Sequence, residues 1–369
     1  MKDWYIIDNI EKIDSPAVVL YEKHLDHNLE EMLNMVGGDV NRLRPHLKTN
    51  KMPEVVKRMV GLGIKNFKSS TIAEAEMAAK EGAESILIAH QLVGPKTDRF
   101  FMLADRFPDT RFYTIIDNSH TLGIWDAKAK ATGREVFVFI DVNNGMNRSG
   151  VEPGPGLTEL IAQTEKAAHA SLVGLHVYDG HHRDQDYGER KEKLEADFRK
   201  LQEMTDALKN AHPDFQVISG GTPAFTTHRL DKERICSPGT CVFWDWGYDE
   251  KLTEQDFKFA VLLVTRVISK PTEGIVTIDL GHKAVAPENP VDKRIKFLNL
   301  SGYELLSQSE EHGVLRVEDW NKINVGDVLY GVPYHICPTI NLYDEIDIIR
   351  DGKKSDTWEI TARRRRITI

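Results

Sequence analysis

A chain of 369 residues, 41% hydrophobic and 28% charged, is long enough for one large domain and a smaller one. Its 48 Lys and Arg against 57 Asp and Glu give a net charge of −9, which argues against nucleic acid as a partner. No apolar run reaches the ~18 residues of a membrane span, no signal-like segment follows Met1, and the 3 cysteines make no disulfide framework; a cytoplasmic protein is expected.

Residues 1–22 hold one apolar patch, Ala17-Val18-Val19-Leu20, and read as an N-terminal segment packing with a later β domain. From residue 23 strands and helices alternate. A helix over 24–35 precedes a strand over 44–48, and Pro53 opens the next helix, as proline commonly does at a first turn. Strands then follow over 66–70, 85–90, 111–117, 135–142, 171–178, 215–219 and 234–242, with helices or helix-length connections between them. Eight such units over 23–250 predict an α/β fold of the (β/α)8 barrel type. An open doubly wound sheet is disfavoured because no Gly-rich dinucleotide fingerprint follows the first strand. Over 251–369 short strand-like runs are joined by turns, which predicts a C-terminal all-β domain. The basic run 363–366 reads as a solvated strand edge.

In a barrel of this kind the functional groups sit at the C-terminal ends of the strands. Polar residues recur there: Lys48, Ser69, His90, Asp117, Asp141, the Gly145–Gly150 loop, Tyr178 with His181 and His182, and Ser219-Gly220-Gly221-Thr222. Read as a strand, 44–48 places Arg44, His46 and Lys48 on one face. A lysine in such a dry, cationic setting becomes an amine able to form a Schiff base. Gly221-Thr222 and Gly239-Thr240 have the composition of phosphate cradles, and two glycine turns are the plainer reading. A lysine together with phosphate cradles fits pyridoxal phosphate. In a β-like segment, His335 and Cys337 share a face at i and i+2 and could meet one metal; an N,S pair suits zinc.

The ordered set of Arg44-Pro45-His46-Leu47-Lys48, Val93-Gly94-Pro95-Lys96, Gly145-Met146-Asn147-Arg148-Ser149-Gly150, Gly220-Gly221-Thr222, Pro238-Gly239-Thr240 and the run from Pro333 to Asp344 resembles the D-threonine aldolase and D-serine dehydratase family of pyridoxal phosphate enzymes, whose barrel is similar to that of alanine racemase. The resemblance implies a barrel plus β-domain fold and a homodimer acting on a small D-hydroxy-amino acid. By resemblance, Lys48 is the cofactor lysine, with His46, Arg148 and Tyr178 near the cofactor and Gly221, Thr222, Gly239 and Thr240 at its phosphate. By the same resemblance His335 and Cys337 hold a divalent metal, which is zinc, manganese or magnesium. Cys337 resembles the dehydratases, whereas the segment after it resembles the aldolases. Asp184 stands where an aldolase of the family has a histidine, which leaves His181 and His182 as the candidate bases. The expected activity is aldol cleavage of D-3-hydroxy-amino acids such as D-threonine. Dehydration of D-serine or 3-hydroxy-D-aspartate is the alternative, ahead of racemisation or non-catalytic cofactor binding.

Overall fold

The structure, a computed structural model, describes residues 3–369. The chain falls into two compact units. One takes the residues up to Met32 together with Thr240–Arg363; the other takes Leu33–Gly239 and Arg364–Ile369. The divisions thus fall at 32/33 and 239/240 rather than at 22/23 and 250/251.

The chain opens with β1 (Ala17–Tyr21) and α1 (Glu22–Met35), both in the first unit except for the end of α1. The second unit then runs through α2 (Pro53–Gly61), β2 (Asn66–Ser69), α3 (Ile72–Lys80), β3 (Ser85–Ile88), α4 (Pro95–Arg106), β4 (Arg111–Ile116), α5 (Ser119–Thr132), β5 (Val136–Val142), α6 (Pro155–Glu165), β6 (Ala170–Val177), α7 (Tyr187–Ala211), β7 (Gln216–Ser219), α8 (Phe225–His228) and β8 (Ile235–Cys236). Prolines at the first turns of α2, α4 and α6 start helices where no donor is needed, and the Asn118 side chain caps α5 by accepting from Thr121 N. The strands form one parallel seven-stranded sheet in sequential order from β2 to β8. Leu87, Tyr113, Ile115, Phe139 and Ile218 cluster into a buried core contributed by four of its strands.

The expected first strand is not a strand. Residues 43–46 make only two isolated parallel bridges, Leu43 to Cys236 of β8 and His46 to Lys68 of β2. They occupy the eighth place, between the two edge strands. Arg44 N donates to Cys236 O at 2.9 Å, His46 N to Pro238 O at 2.8 Å, and Leu47 N to Lys68 O at 2.8 Å. Pro45 has no N–H to extend the ladder, so the segment touches each neighbour and then turns at Leu47–Asn50. The eighth strand is also shorter than expected, two residues in place of 234–242.

In the first unit, after α9 (Trp246–Asp249), the sheet consists of β1 with β9 (Val261–Thr272), β10 (Ile275–Ile278), β11 (Ile295–Phe297), β12 (Tyr303–Gln308), β13 (Gly313–Val317), β14 (Val328–Pro333), β15 (Glu345–Arg350) and β16 (Lys353–Glu359). β1 lies between β9, antiparallel, and β15, parallel, so the apolar patch at 17–20 is a central strand. Val19, Tyr21, Leu262, Val264, Tyr330, Val332 and Ile349 bury one face. The unit is not free of helix: α10 (Ile336–Ile340) interrupts it just after β14. The basic run is not a strand either. Arg363 ends a short 3-10 turn, and 364–369 return to the barrel unit, where buried Glu76 accepts from Thr368 N and Ile369 N at 3.1 and 3.2 Å.

Candidate active site

Lys48 lies in the turn after the bridging segment. Lys51 N closes that turn on Leu47 O at 3.0 Å. Lys51 takes φ +57, a conformation rare outside glycine, and its ammonium is tied to the buried Glu74 carboxylate at 2.7 Å. His46 Nδ1 accepts from Lys48 N at 3.2 Å. The Lys48 amine is thereby directed to the C-terminal end of the strands, 6.0 Å from the Tyr178 ring.

Tyr178 follows β6 and is hemmed in by glycines. A Cβ on Gly180 would lie 2.2 Å from its hydroxyl and one on Gly221 would lie 3.0 Å from its ring, so both positions admit only glycine without a shift. Three cations surround the ring: Arg148 Cζ at 4.7 Å, Lys68 Nζ at 5.7 Å and Lys48 Nζ at 6.0 Å. Among the described residues no carboxylate comes within ion-pair distance of any of the three. Asp179 and Asp141 act on Lys68 only from beyond ion-pair distance, so the cations repel one another and an anionic ligand would relieve that repulsion.

Lys68 is the residue that sequence reasoning missed. It is buried on β2, with one 3.5 Å contact to Gly220 O. Burial, then the nearby Lys48 charge, pushes its amine down to about 7. Its strand, Asn66-Phe67-Lys68-Ser69, sets one lysine among mostly polar neighbours, and nothing local marks it out. Arg44, expected beside Lys48, points elsewhere. Its guanidinium lies 5.3 Å from the Tyr113 ring and donates to Phe67 O at 3.3 Å. Lys68 and Arg148, not Arg44, are the cations that share the Tyr178 ring with Lys48. Burial and then Lys48 and Lys68 hold the His46 imidazole well below its usual range, so it is neutral.

Two buried acid–imidazole pairs stand at the same strand ends. His176 Nδ1 and Asp141 Oδ1 are 2.8 Å apart, and Asp141 also accepts from Ser149 Oγ and Gln91 Nε2, each at 2.9 Å. Burial alone would raise the Asp141 pKa, but these bonds, led by His176, bring it below the ordinary value. His228 Nε2 meets Asp179 Oδ2 at 2.5 Å while its Nδ1 lies 2.9 Å from Arg234 Nη1. An arginine only donates, so Nδ1 accepts and Nε2–H donates to Asp179.

The phosphate-cradle residues divide. Gly239 N donates to Thr222 Oγ1 at 3.2 Å, and a Cβ on Gly239 would lie 3.1 Å from His46 O, which joins Gly239, Thr222 and the His46 backbone. Thr240 belongs to the other unit, where its hydroxyl lies 3.4 Å from Cys337 Sγ. Ser69 Oγ, His176 Nε2 and Ser219 Oγ, at or near the ends of β2, β6 and β7, are buried without a hydrogen-bond partner. Buried polar atoms seldom stay unpaired. Two unpaired hydroxyls, an unpaired imidazole nitrogen, three cations and an aromatic wall fit a planar, phosphate-bearing group such as pyridoxal phosphate, with Lys48 as the amine.

His335 and Cys337 come together, but not by strand alternation. His335 is the N-cap of α10 and Cys337 lies in its first turn. Burial lowers the imidazole pKa, yet the bond and charge of Cys337 outweigh it and raise it to about 9. His335 Nδ1 lies 2.7 Å from Glu288 Oε1, a carboxylate on the far side of the ring, as metal-binding imidazoles commonly have. The donor set fits a zinc-class ion. Nearby, burial raises the Asp245 carboxyl to about 6 while it accepts from Ile336 N at 3.0 Å.

His181 and His182 stack with ring centroids 3.9 Å apart on the loop after β6. Their Nε2 atoms lie 3.5 and 2.8 Å from Asp197 Oδ2 on α7. Asp197 had no signal in the sequence, being one acid in a long charged helix. Asp184, where an aldolase of the family has histidine, pairs with Lys193.

The alanine racemase N-terminal domain profile matches residues 21–245, and a putative serine dehydratase domain profile matches 260–349. The chain is 27% identical to the D-threonine aldolase of Arthrobacter sp. over 364 residues, covering 96% of this chain and 94% of that one. It is 24% identical to the D-threo-3-hydroxyaspartate dehydratase of Delftia sp., over 95% of this chain and 98% of the relative. The crystal structure of D-threonine aldolase from Filomicrobium marinum superposes with a TM-score of 0.87 at 26% identity, covering 98% of this chain and 99% of that one. The fold is that of the alanine racemase N-terminal domain family, and the chain belongs to it, within the D-threonine aldolase and D-serine dehydratase family of pyridoxal phosphate enzymes. No helix among the described residues is long and apolar enough to cross a membrane.

Proposed function

We propose that the protein is a pyridoxal phosphate- and divalent-metal-dependent lyase, working as a homodimer, that cleaves D-3-hydroxy-amino acids such as D-threonine into glycine and an aldehyde. The observation that carries this reading is a second proton-accepting group besides Lys48, the His181–His182–Asp197 cluster at the C-terminal end of the barrel. Aldol cleavage begins by removing the proton of the β-hydroxyl, and dehydration begins at Cα. A base held apart from the cofactor lysine suits the first.

In this reading Lys48 would hold the cofactor through its side-chain amine. Arg148 and Lys68 neutralise anionic groups of the bound cofactor and substrate, and Tyr178 forms a wall of the pocket. Gly221, Thr222 and Gly239 take the phosphate by close backbone approach, and Thr240, beside Cys337, is assigned to the metal side instead. The cofactor, when bound, supplies a sink for the electron pair released as Cα–Cβ breaks. His335 and Cys337 would hold a divalent ion able to bind the hydroxyl and lower its pKa. The His181–His182–Asp197 group accepts the hydroxyl proton, the aldehyde leaves, and Cα regains a proton to give glycine. Cys337 favours a second reading, dehydration of D-serine or 3-hydroxy-D-aspartate with Lys48 taking the Cα proton, because a cysteine at this place resembles the dehydratases of the family.

Incubation of the purified holoenzyme with D-threonine and D-serine separates the two. Glycine and acetaldehyde are expected from D-threonine. Pyruvate and ammonia from D-serine, with no acetaldehyde from D-threonine, would sink the aldolase reading.

A further inference from the structure

The geometry points to a divalent-cation site made by His181, His182 and Asp197, distinct in its residues from the His335 and Cys337 pair. One ligand atom from each of the three lies within 4.8 Å of the others. Both imidazole Nε2 atoms converge on one carboxylate oxygen, Oδ2, at 3.5 and 2.8 Å. The other carboxylate oxygen, Oδ1, accepts from Lys200 Nζ at 2.7 Å, which fixes the carboxylate with Oδ2 turned toward the two imidazoles. Two nitrogens and one oxygen on a half-buried rim are the donor set of a zinc-class ion with solvent in the remaining position.

A second observation comes from the loop after β5. Gly145 has φ +119, and a Cβ there would stand 3.3 Å from His181 Nε2 and 3.7 Å from Asp197 Oδ2. The absence of a side chain at that place keeps the approach to the ligand atoms clear. His181 Nδ1 is buried without a partner, so this ring is held by neither nitrogen as firmly as His182. Metal-binding imidazoles are usually oriented through the other nitrogen, and His181 is therefore the weakest of the three ligands.

The site's chemical role rests on the proposed lyase reading: an ion held here would supply a bound water able to take the β-hydroxyl proton in place of a bare imidazole. Its metal content does not rest on that reading, which keeps the two separable. Holoenzyme is stripped with chelator, equilibrated with cobalt(II), and assayed for bound cobalt per chain and for the visible d–d spectrum. Wild type is expected to bind two ions, Asp197→Asn and His182→Gln one each, Cys337→Ser one, and the Asp197→Asn, Cys337→Ser double variant none. Lys200→Gln should weaken the barrel site about tenfold, as loss of a residue that orients a ligand does. The cofactor absorbance of each variant reports that it has folded. A single ion lost in Asp197→Asn and kept in Cys337→Ser also upholds the site, and removes the metal from the His335 and Cys337 pair. The proposal is overturned if folded Asp197→Asn and His182→Gln proteins bind as much cobalt as wild type, or if wild type binds none.

Discussion

At the N-terminal end of the barrel strands Arg44 and Arg111 each lie 5.3 Å from an aromatic ring, Tyr113 and Phe137. At the C-terminal end Lys48, Lys68 and Arg148 surround Tyr178. Both ends therefore set cations on aromatic faces, and at the N-terminal end a cavity of about 700 Å³ is lined by Arg44, Asn66, Ser85, Arg111 and Tyr113 among others. What separates them is the type of cation. Burial lowers Arg44 only to about 10, and a guanidinium there stays charged at neutral pH. The same physical cost brings Lys68 to about 7, where an amine exchanges its proton. The titratable Lys68 amine and the unpaired buried atoms favour the C-terminal end as the candidate site.

The sharpest way to break this contrast is Lys48→Ala. It should abolish the Schiff-base absorbance of the holoenzyme and cut turnover by about 10³-fold or more. An unchanged spectrum would remove Lys48 from its role. Next in size is Asp141→Ala, which strips a buried carboxylate from His176, Ser149 and Gln91. A loss of about 3 kcal/mol in urea unfolding is expected, because partners of a buried charge are left unsatisfied; a loss under about 1 kcal/mol would mean that water already serves them.

Lys68 gives a pH signature. Below about pH 7 the folded apoprotein bears the full cost of burying its charge. Between about 7 and 10.5 the unfolded chain binds a proton that the folded chain does not, so stability rises with pH. Relative to Lys68→Met, wild-type apoprotein should gain up to about 1.4 kcal/mol per pH unit over that window. A difference that stays flat from pH 7 to 9 would show that the amine is solvated. The smallest effect belongs to Arg44→Met, where an apolar chain of similar length replaces a buried cation. A change within about 1 kcal/mol and an unaltered cofactor spectrum are expected; a lost spectrum would erase the distinction between the two ends.

The alternation of strands and helices was legible because each β/α unit announces itself with local signals: Pro53, Pro95 and Asn118 at helix starts, short apolar runs for strands. The closing segment was misread for a reason equally local. Alternating side chains at 44–48 look like a strand, but Pro45 removes the donor that a ladder needs. Lys48 stood out as a candidate because a lysine among cations is chemically odd, and the structure does set it among cations, though Lys68 and Arg148 rather than Arg44. Lys68, Asp197 and Glu288 were not found, since each becomes functional only through residues far away in sequence. His335 and Cys337 were identified correctly as neighbours from the wrong local geometry, a strand pair instead of a helix cap and its first turn.

The place of β1 in its sheet has a consequence for biosynthesis. Val19 and Leu20 pair with Asp347 and Ile348 on one side and with Leu262 and Val261 on the other. The ribosome makes this apolar strand before the whole barrel sequence, and both partners after it. While the whole barrel sequence is being translated, β1 has two open edges, the state in which strands pair with the wrong neighbour. The nascent chain thus carries an apolar strand unpartnered while the barrel sequence is made, and chaperone demand should fall once β15 has cleared the exit tunnel.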